Sequence, residues 1–173
     1  MKNLDDGLEA VNREISAHRL ARRKKKHLIF SLDEKRYGIP LSLIKEVIGL
    51  CPITEIPKVP RFYKGMINLR GQIISVIDLR LKLGLEEIPF QPKKSSIIIS
   101  HVGDIVVGSI VDEVIEVVGY DESQIDESEA ERVQRTGDGV YGVAKDGDET
   151  LTLLIDIEKA LDKTDFKVLK QAA

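Results

Sequence analysis

From His27 onward the apolar positions fall in short runs with a period of two, the pattern of strands. His27–Leu32 and Arg36–Leu41 flank the polar turn Asp33-Glu34-Lys35 and predict a hairpin. Pro40, Pro52, Pro57 and Pro60 keep the elements that follow short, and Ser42–Val47 reads as one or two helical turns. Gly65–Arg70 and Gln72–Asp78 predict strands around Gly71. Ser95–His101, Asp104–Val111 and Glu113–Val118 are β-branched runs divided by Gly103 and a charged pair. Val140–Lys145 and Glu149–Ile155 flank Asp146-Gly147-Asp148, a short-loop hairpin signal. Asp156 then caps a helix predicted to run to Gln171, with Ile157, Ala160, Leu161 and Val168 near one face. Ahead of the strands, residues 3–26 read as a helix with Asn3 as cap and a narrow stripe of Leu4, Leu8, Val11 and Ile15. The stripe stops at Ile15 and the segment ends in Arg22-Arg23-Lys24-Lys25-Lys26, so a marginal extension is expected.

Two stretches recur. Glu46-Val47-Ile48-Gly49-Leu50 matches Glu116-Val117-Val118-Gly119-Tyr120, and Val76-Ile77-Asp78-Leu79…Leu83 matches Leu154-Ile155-Asp156-Ile157…Leu161. Both matches come in the same order, which predicts two related β-rich halves. Halves of this size, made of short strands with Gly and Pro turns, need closure to hide their edges, so two small barrels are expected.

The chain has 173 residues, enough for one ordinary domain or two small ones sharing a core. Its net charge of −3 is an average over unlike parts. Residues 1–27 carry eight basic and four acidic side chains, whereas residues 28–173 carry 18 and 25. Within the body, residues 58–82 hold Lys58, Arg61, Lys64, Arg70, Arg80 and Lys82 against Asp78 alone, and residues 104–131 hold ten acids and no Lys or Arg. Opposite blocks on one small body suggest steering of partners. Arg70, in the Asn68-Leu69-Arg70-Gly71 turn, is expected to project outward. There is one cysteine, Cys51, so no disulfide framework is available. No apolar run is long enough for a membrane span and no apolar signal core is visible, which predicts a soluble cytoplasmic protein.

Catalytic chemistry finds no foothold. The three histidines, His18, His27 and His101, lack metal-ligand spacing, and there is no P-loop or dinucleotide fingerprint. Asp146-Gly147-Asp148-Glu149 does not follow the EF-hand pattern and reads as a turn. Asp78 and Asp156 each close a strand and read as helix caps rather than as paired catalytic carboxylates. No enzyme activity, cofactor or metal is expected. The alternative is a small β-barrel that binds nucleic acid through the basic tail. Against it stand the acidic body and a chain with four Phe, four Tyr and no Trp for base stacking.

Tyr37-Gly38-Ile39-Pro40, Ile44-Lys45-Glu46-Val47-Ile48, Lys64-Gly65-Met66-Ile67-Asn68-Leu69-Arg70-Gly71-Gln72-Ile73-Ile74 and Val76-Ile77-Asp78-Leu79-Arg80 together resemble the CheW family of chemotaxis coupling proteins. Val107-Gly108…Val111-Asp112-Glu113-Val114 and Leu154-Ile155-Asp156-Ile157-Glu158-Lys159 add to the likeness, which covers residues 27–170. The resemblance implies a mainly β fold of two SH3-like five-stranded barrels sharing a core, over 27–173, behind a basic extension over 1–26. It implies an adaptor between chemoreceptor cytoplasmic tips and the regulatory domain of the chemotaxis histidine kinase, working at membrane-associated receptor arrays, with further copies of the adaptor as additional partners. It places Arg70, Asn68 and Leu69 in the partner-binding turn, Ile44, Glu46 and Val47 in a receptor-contacting segment, Gly65 at a sensitive backbone position and Val168 on the partner-binding surface. Ser75 stands where the family pattern has proline.

Overall fold

The computed structural model describes residues 9, 11, 13, 24–133, 139–147 and 149–171. Eleven strands dominate the described residues: β1 (Lys25–Leu32), β2 (Lys35–Pro40), β3 (Ile44–Gly49), β4 (Tyr63–Leu69), β5 (Gln72–Asp78), β6 (Ser96–Val102), β7 (Ile105–Val111), β8 (Glu113–Tyr120), β9 (Ile125–Asp126), β10 (Val140–Asp146) and β11 (Thr150–Ile155). Four short helices accompany them: α1 (Leu79–Lys82), α2 (Glu127–Val133), α3 (Ile157–Ala160) and α4 (Lys163–Gln171). Asn3, most of the predicted N-terminal stripe and His18 lie outside the described residues; Glu9, Val11 and Arg13 are helical.

Three expectations need correction. The N-terminal helix does not reach residue 26, because Lys25 and Lys26 already pair with Tyr120 and Gly119 in the β1–β8 ladder. The helical reading of Ser42–Val47 holds only for a 3-10 turn, Leu41–Leu43; Ile44 onward is strand, paired with β6. The C-terminal helix is two helices. Asp156 caps α3 as expected, accepting from the amides of Glu158 and Lys159, but Leu161 leaves the helix and Asp162 restarts it. Asp162 accepts from the amides of Thr164 and Asp165, and Asp165 accepts from the Asp162 amide in return.

The strands form two sheets, ordered β8-β1-β2-β11-β10-β9 and β3-β6-β7-β5-β4. The first five strands of the one match the five of the other, place for place. In each, an antiparallel trio (β8-β1-β2, β3-β6-β7) joins an antiparallel pair (β11-β10, β5-β4) through one parallel ladder, β2–β11 or β7–β5. The sequence repeat maps β3 on β8 and β5 on β11, in agreement with this correspondence. The chain order is permuted: β1 and β2 supply the hairpin that β6 and β7 supply in the other half. The chain therefore begins in the first barrel, builds the whole second barrel, and returns to complete the first.

This crossing explains the continuous apolar runs in the sequence, because the central strands are buried on both faces. On β6, Ile97 and Ile99 fill the second barrel together with Ile67, Ile74, Val76 and Ile110. Ile98 points the other way, into a core shared by both barrels with Leu28, Phe30, Leu32, Tyr37 and Ile77. On β1, Ile29 faces the filling of the first barrel with Tyr120, Ala144 and Leu154, while Leu28 and Phe30 join the shared core. Cys51 is half-buried against the second barrel's filling, as a small hydrophobe.

Candidate partner-binding site

Arg70 and Gly71 form a two-residue connection between β4 and β5, with Leu69 paired to Gln72 across it. Both have positive φ, 52° at Arg70 and 86° at Gly71. This is the twist that a two-residue hairpin requires, and glycine meets it freely whereas arginine does not. Asn68 steadies the turn by accepting a hydrogen bond from the Gly71 amide at 2.8 Å. The Arg70 side chain is 75% exposed, so the expected outward projection is observed.

The guanidinium is held in place. Its Nη1 and Nη2 donate to the two carboxylate oxygens of Glu46 at 2.8 and 2.9 Å, a bidentate fork. Glu46 reaches this position through a β-bulge: the β3–β6 register shifts between Ile44 and Glu46. Ile44 accordingly packs against the shared core, whereas Ile48 packs into the second barrel. Lys45 reaches across beside the fork to Gln72 at 3.4 Å. Val47 on β3 and Ile73 on β5 are exposed hydrophobic side chains flanking these two bridges in sequence, at 40% and 43%.

Gly65 lies on the same hairpin and has φ +137°. A Cβ built on it would stand 2.1 Å from the Thr54 carbonyl oxygen. The neighbouring Thr54–Met66 bridge, with hydrogen bonds of 2.8 and 2.9 Å, holds the incoming chain against β4. Gly65 is thus required by backbone packing. Of the predicted site residues, Arg70, Glu46, Val47, Asn68, Leu69, Ile44 and Gly65 lie on β3 and the β4–β5 hairpin. Val168 lies apart, half-buried on α4 against the shared core. Lys45, Gln72 and Ile73 were not anticipated; Ile73 sits in an apolar run whose exposed member period alone cannot identify.

The charge blocks also look different in space. The cationic stretch 58–82 is not an open positive patch, since five of its six cations are paired. Arg61 and Lys64 both bind Glu87, whose carboxyl they hold below the usual range, with Lys64 the stronger influence. Lys82 pairs with buried Asp165, and Arg80 is buried against Asp112. In the first barrel Glu116, the repeat counterpart of Glu46, is also bound by an arginine, Arg36, at 2.8 Å. Arg36 lies 3.5 Å from Asp146, which accepts from the Tyr120 and Thr152 hydroxyls. Both barrels thus pin an acid of the equivalent strand with arginine, from different elements. His27, at the start of the first expected strand, is a buried residue of β1.

Among the described residues no cluster of His, Cys, Asp and Glu could hold a metal, and no helix is long and apolar enough to cross a membrane. An exposed arginine braced by a carboxylate, with exposed Val47 and Ile73 on the strands that carry these bridges, suits recognition of a protein surface. A pair of fused barrels bearing such an edge defines a binding adaptor. Comparison with known proteins agrees: the CheW-like domain matches residues 26–165. The chain is 37% identical to the chemotaxis protein CheW of Bacillus subtilis over 139 residues, 80% of this chain and 87% of that protein. It is 32% identical to the chemotaxis protein CheW of Klebsiella aerogenes over 146 residues, 84% and 87% of the two. The crystal structure of the scaffolding protein TtCheW from Thermoanaerobacter tengcongensis superposes with a TM-score of 0.71 at 34% identity, covering 82% of this chain and 95% of that one. The chain belongs to the CheW family of chemotaxis coupling adaptors. The nucleic-acid alternative is not favoured.

Proposed function

We propose that this chain joins chemoreceptor cytoplasmic tips to the regulatory domain of the chemotaxis histidine kinase, without catalysing a reaction itself. Its place of action is the cytoplasmic face of receptor arrays, where further copies of the adaptor are additional neighbours. The observation that carries this reading is Arg70, kept in a left-handed turn and gripped by Glu46 at an exposed edge. A fold gains little from such a residue, because an exposed pair contributes about 0–1 kcal/mol. A binding edge gains a cation of fixed direction, on strands that also expose Val47 and Ile73. The remaining predicted residues, Ile44, Asn68, Leu69 and Gly65, shape that edge, and Val168 is a further partner-binding residue, on α4.

Co-sedimentation with receptor fragments and kinase tests this. The Arg70→Glu chain should remain folded and fall out of the pellet with at least one partner. Retention of both partners at wild-type levels would remove Arg70 from the site.

A further inference from the structure

A groove opens away from the Arg70 edge, between the 3-10 turn Leu41–Leu43 and helices α2 and α3. Pro40, Leu43, Ala130 and Val140 give a cleft of about 580 Å³ an apolar lining, and Glu127 and Glu131 of α2 stand along it. Leu43 and Asp156 also line a second recess of about 150 Å³, so the two cavities meet there. Ile39 and Ile157 wall the recess, with Glu158 at its lining. Glu158 is set beside Gly103, whose φ is +58° and where a Cβ would lie 3.3 Å from the carboxylate.

The recess contains an unsatisfied group. Ser100 lines it and is 1% exposed, and its hydroxyl has no hydrogen-bond partner among the described residues. Alternation along β6 explains the direction: Ile97 and Ile99 face the second barrel's filling, so Ser100 faces away from it. A buried hydroxyl without a partner is destabilising, and a ligand that donates to it removes that penalty. No ion pair among the described residues engages Glu127, Glu131 or Glu158. Lys159 is the one Lys or Arg among the described lining residues, so the groove is net negative.

We propose that this groove binds a basic segment of a partner protein, with one Lys or Arg side chain entering the recess. Its methylene stem lies against Ile39, Leu43 and Ile157, and its head donates to Ser100 Oγ and pairs with the Glu158 carboxylate. An apolar passage with acidic sides selects a long cationic side chain over a short or acidic one. The site is separate from the Arg70 edge and does not rest on the reading given to that edge.

The probe is a short amphipathic Leu/Lys peptide added to the full chain, followed by amide NMR, with a Leu/Glu peptide as control. Saturable shifts at Leu43, Ser100, Gly103 and Glu158 are expected with the Lys peptide alone. Glu131→Gln combined with Glu158→Gln, both on exposed side chains, should weaken binding about tenfold. Ser100→Ala should weaken it by a smaller factor, and Arg70→Glu should leave it unchanged. Three results would overturn the proposal. One is shifts centred on Glu113 and Glu116 of β8 with undiminished affinity in the double variant. Another is groove shifts that grow with protein concentration without peptide, which would make a second copy the occupant. The third is groove shifts produced by salt alone at fixed concentration, which would make the chain's own basic segment the occupant.

Discussion

Arg70 adopts a conformation that its own side chain disfavours. A non-glycine residue at positive φ costs about 1 kcal/mol, and the exposed Glu46 pair returns at most about that much. Arg70→Asn keeps a residue that tolerates this φ, so its urea midpoint should equal or exceed that of the wild type while partner binding falls. A lower midpoint would mean that Arg70 is there for the fold. Gly65→Ala should behave oppositely, losing about 3 kcal/mol or more, because φ +137° and the Thr54 carbonyl both exclude a side chain. Urea unfolding of the two variants side by side separates these roles. The turn at Arg70 is legible from Asn68 and Gly71, whereas the need for Gly65 is visible only through the family likeness, since it depends on Thr54, eleven residues away.

Strand β1 starts at Lys25, two residues before the expected His27, because β8 pairs with Lys25 and Lys26 and nothing local in the run of cations reports it. His27 itself is buried. Its Nδ1 donates to the Lys25 carbonyl oxygen and its Nε2 accepts from the Tyr141 hydroxyl, each at 2.8 Å. Burial, the largest influence, lowers its pKa below the ordinary value. The unfolded chain therefore binds the proton first as pH falls, and this contribution to stability is complete above about pH 6.5 and declines below it. The urea midpoint should drop between about pH 7.5 and 5.5, and His27→Phe should flatten that drop. An unchanged slope in the variant would assign the loss to other groups.

At the scale of elements, strands were read well and helices poorly. Strands are legible because each is a short apolar run closed by a turn, as β10 and β11 are around Gly147. Helix α2 has one buried residue, Ala130, among acids, so it carries no apolar period and was read only as charge. The apolar positions Ile157, Ala160, Leu161 and Val168 fit one face and so predict one C-terminal helix, and only the cap pair at Asp162 and Asp165 divides it. Asp162→Ala should cost about 1 kcal/mol and speed amide exchange in α4 ahead of the barrels. Uniform exchange would show that α4 is held by packing alone. Ser75 bears on that packing: its hydroxyl donates to the Leu169 carbonyl at 3.3 Å and contacts the Tyr63 hydroxyl at 3.1 Å. A proline there would remove this tie to α4.

For the whole molecule, the repeat announced two halves but not their permutation, because only two of five strand positions keep a recognisable match. The parallel ladders β2–β11 and β5–β7 join segments far apart in sequence and have no local signal. Where the chain passes between barrels, one partly buried strut fixes it. Arg80 of α1 binds one oxygen of Asp112 at the β7–β8 junction, and the other accepts from the Asp33 amide in the β1–β2 turn at 2.9 Å. Arg80→Leu should cost about 3 kcal/mol by removing the cation that faces Asp112, and adding Asp112→Asn should recover part of this. Additive losses in the double variant would show that the two residues act separately.

Coupling is read most directly from kinase output in a reconstituted mixture. Receptor fragments, kinase and this chain are combined, and autophosphorylation is followed with the chain present, absent or carrying Arg70→Glu. Kinase activity should come under receptor control only with the wild-type chain, and Arg70→Glu should behave as omission. Equal receptor control without the chain, or with the variant, would contradict the account.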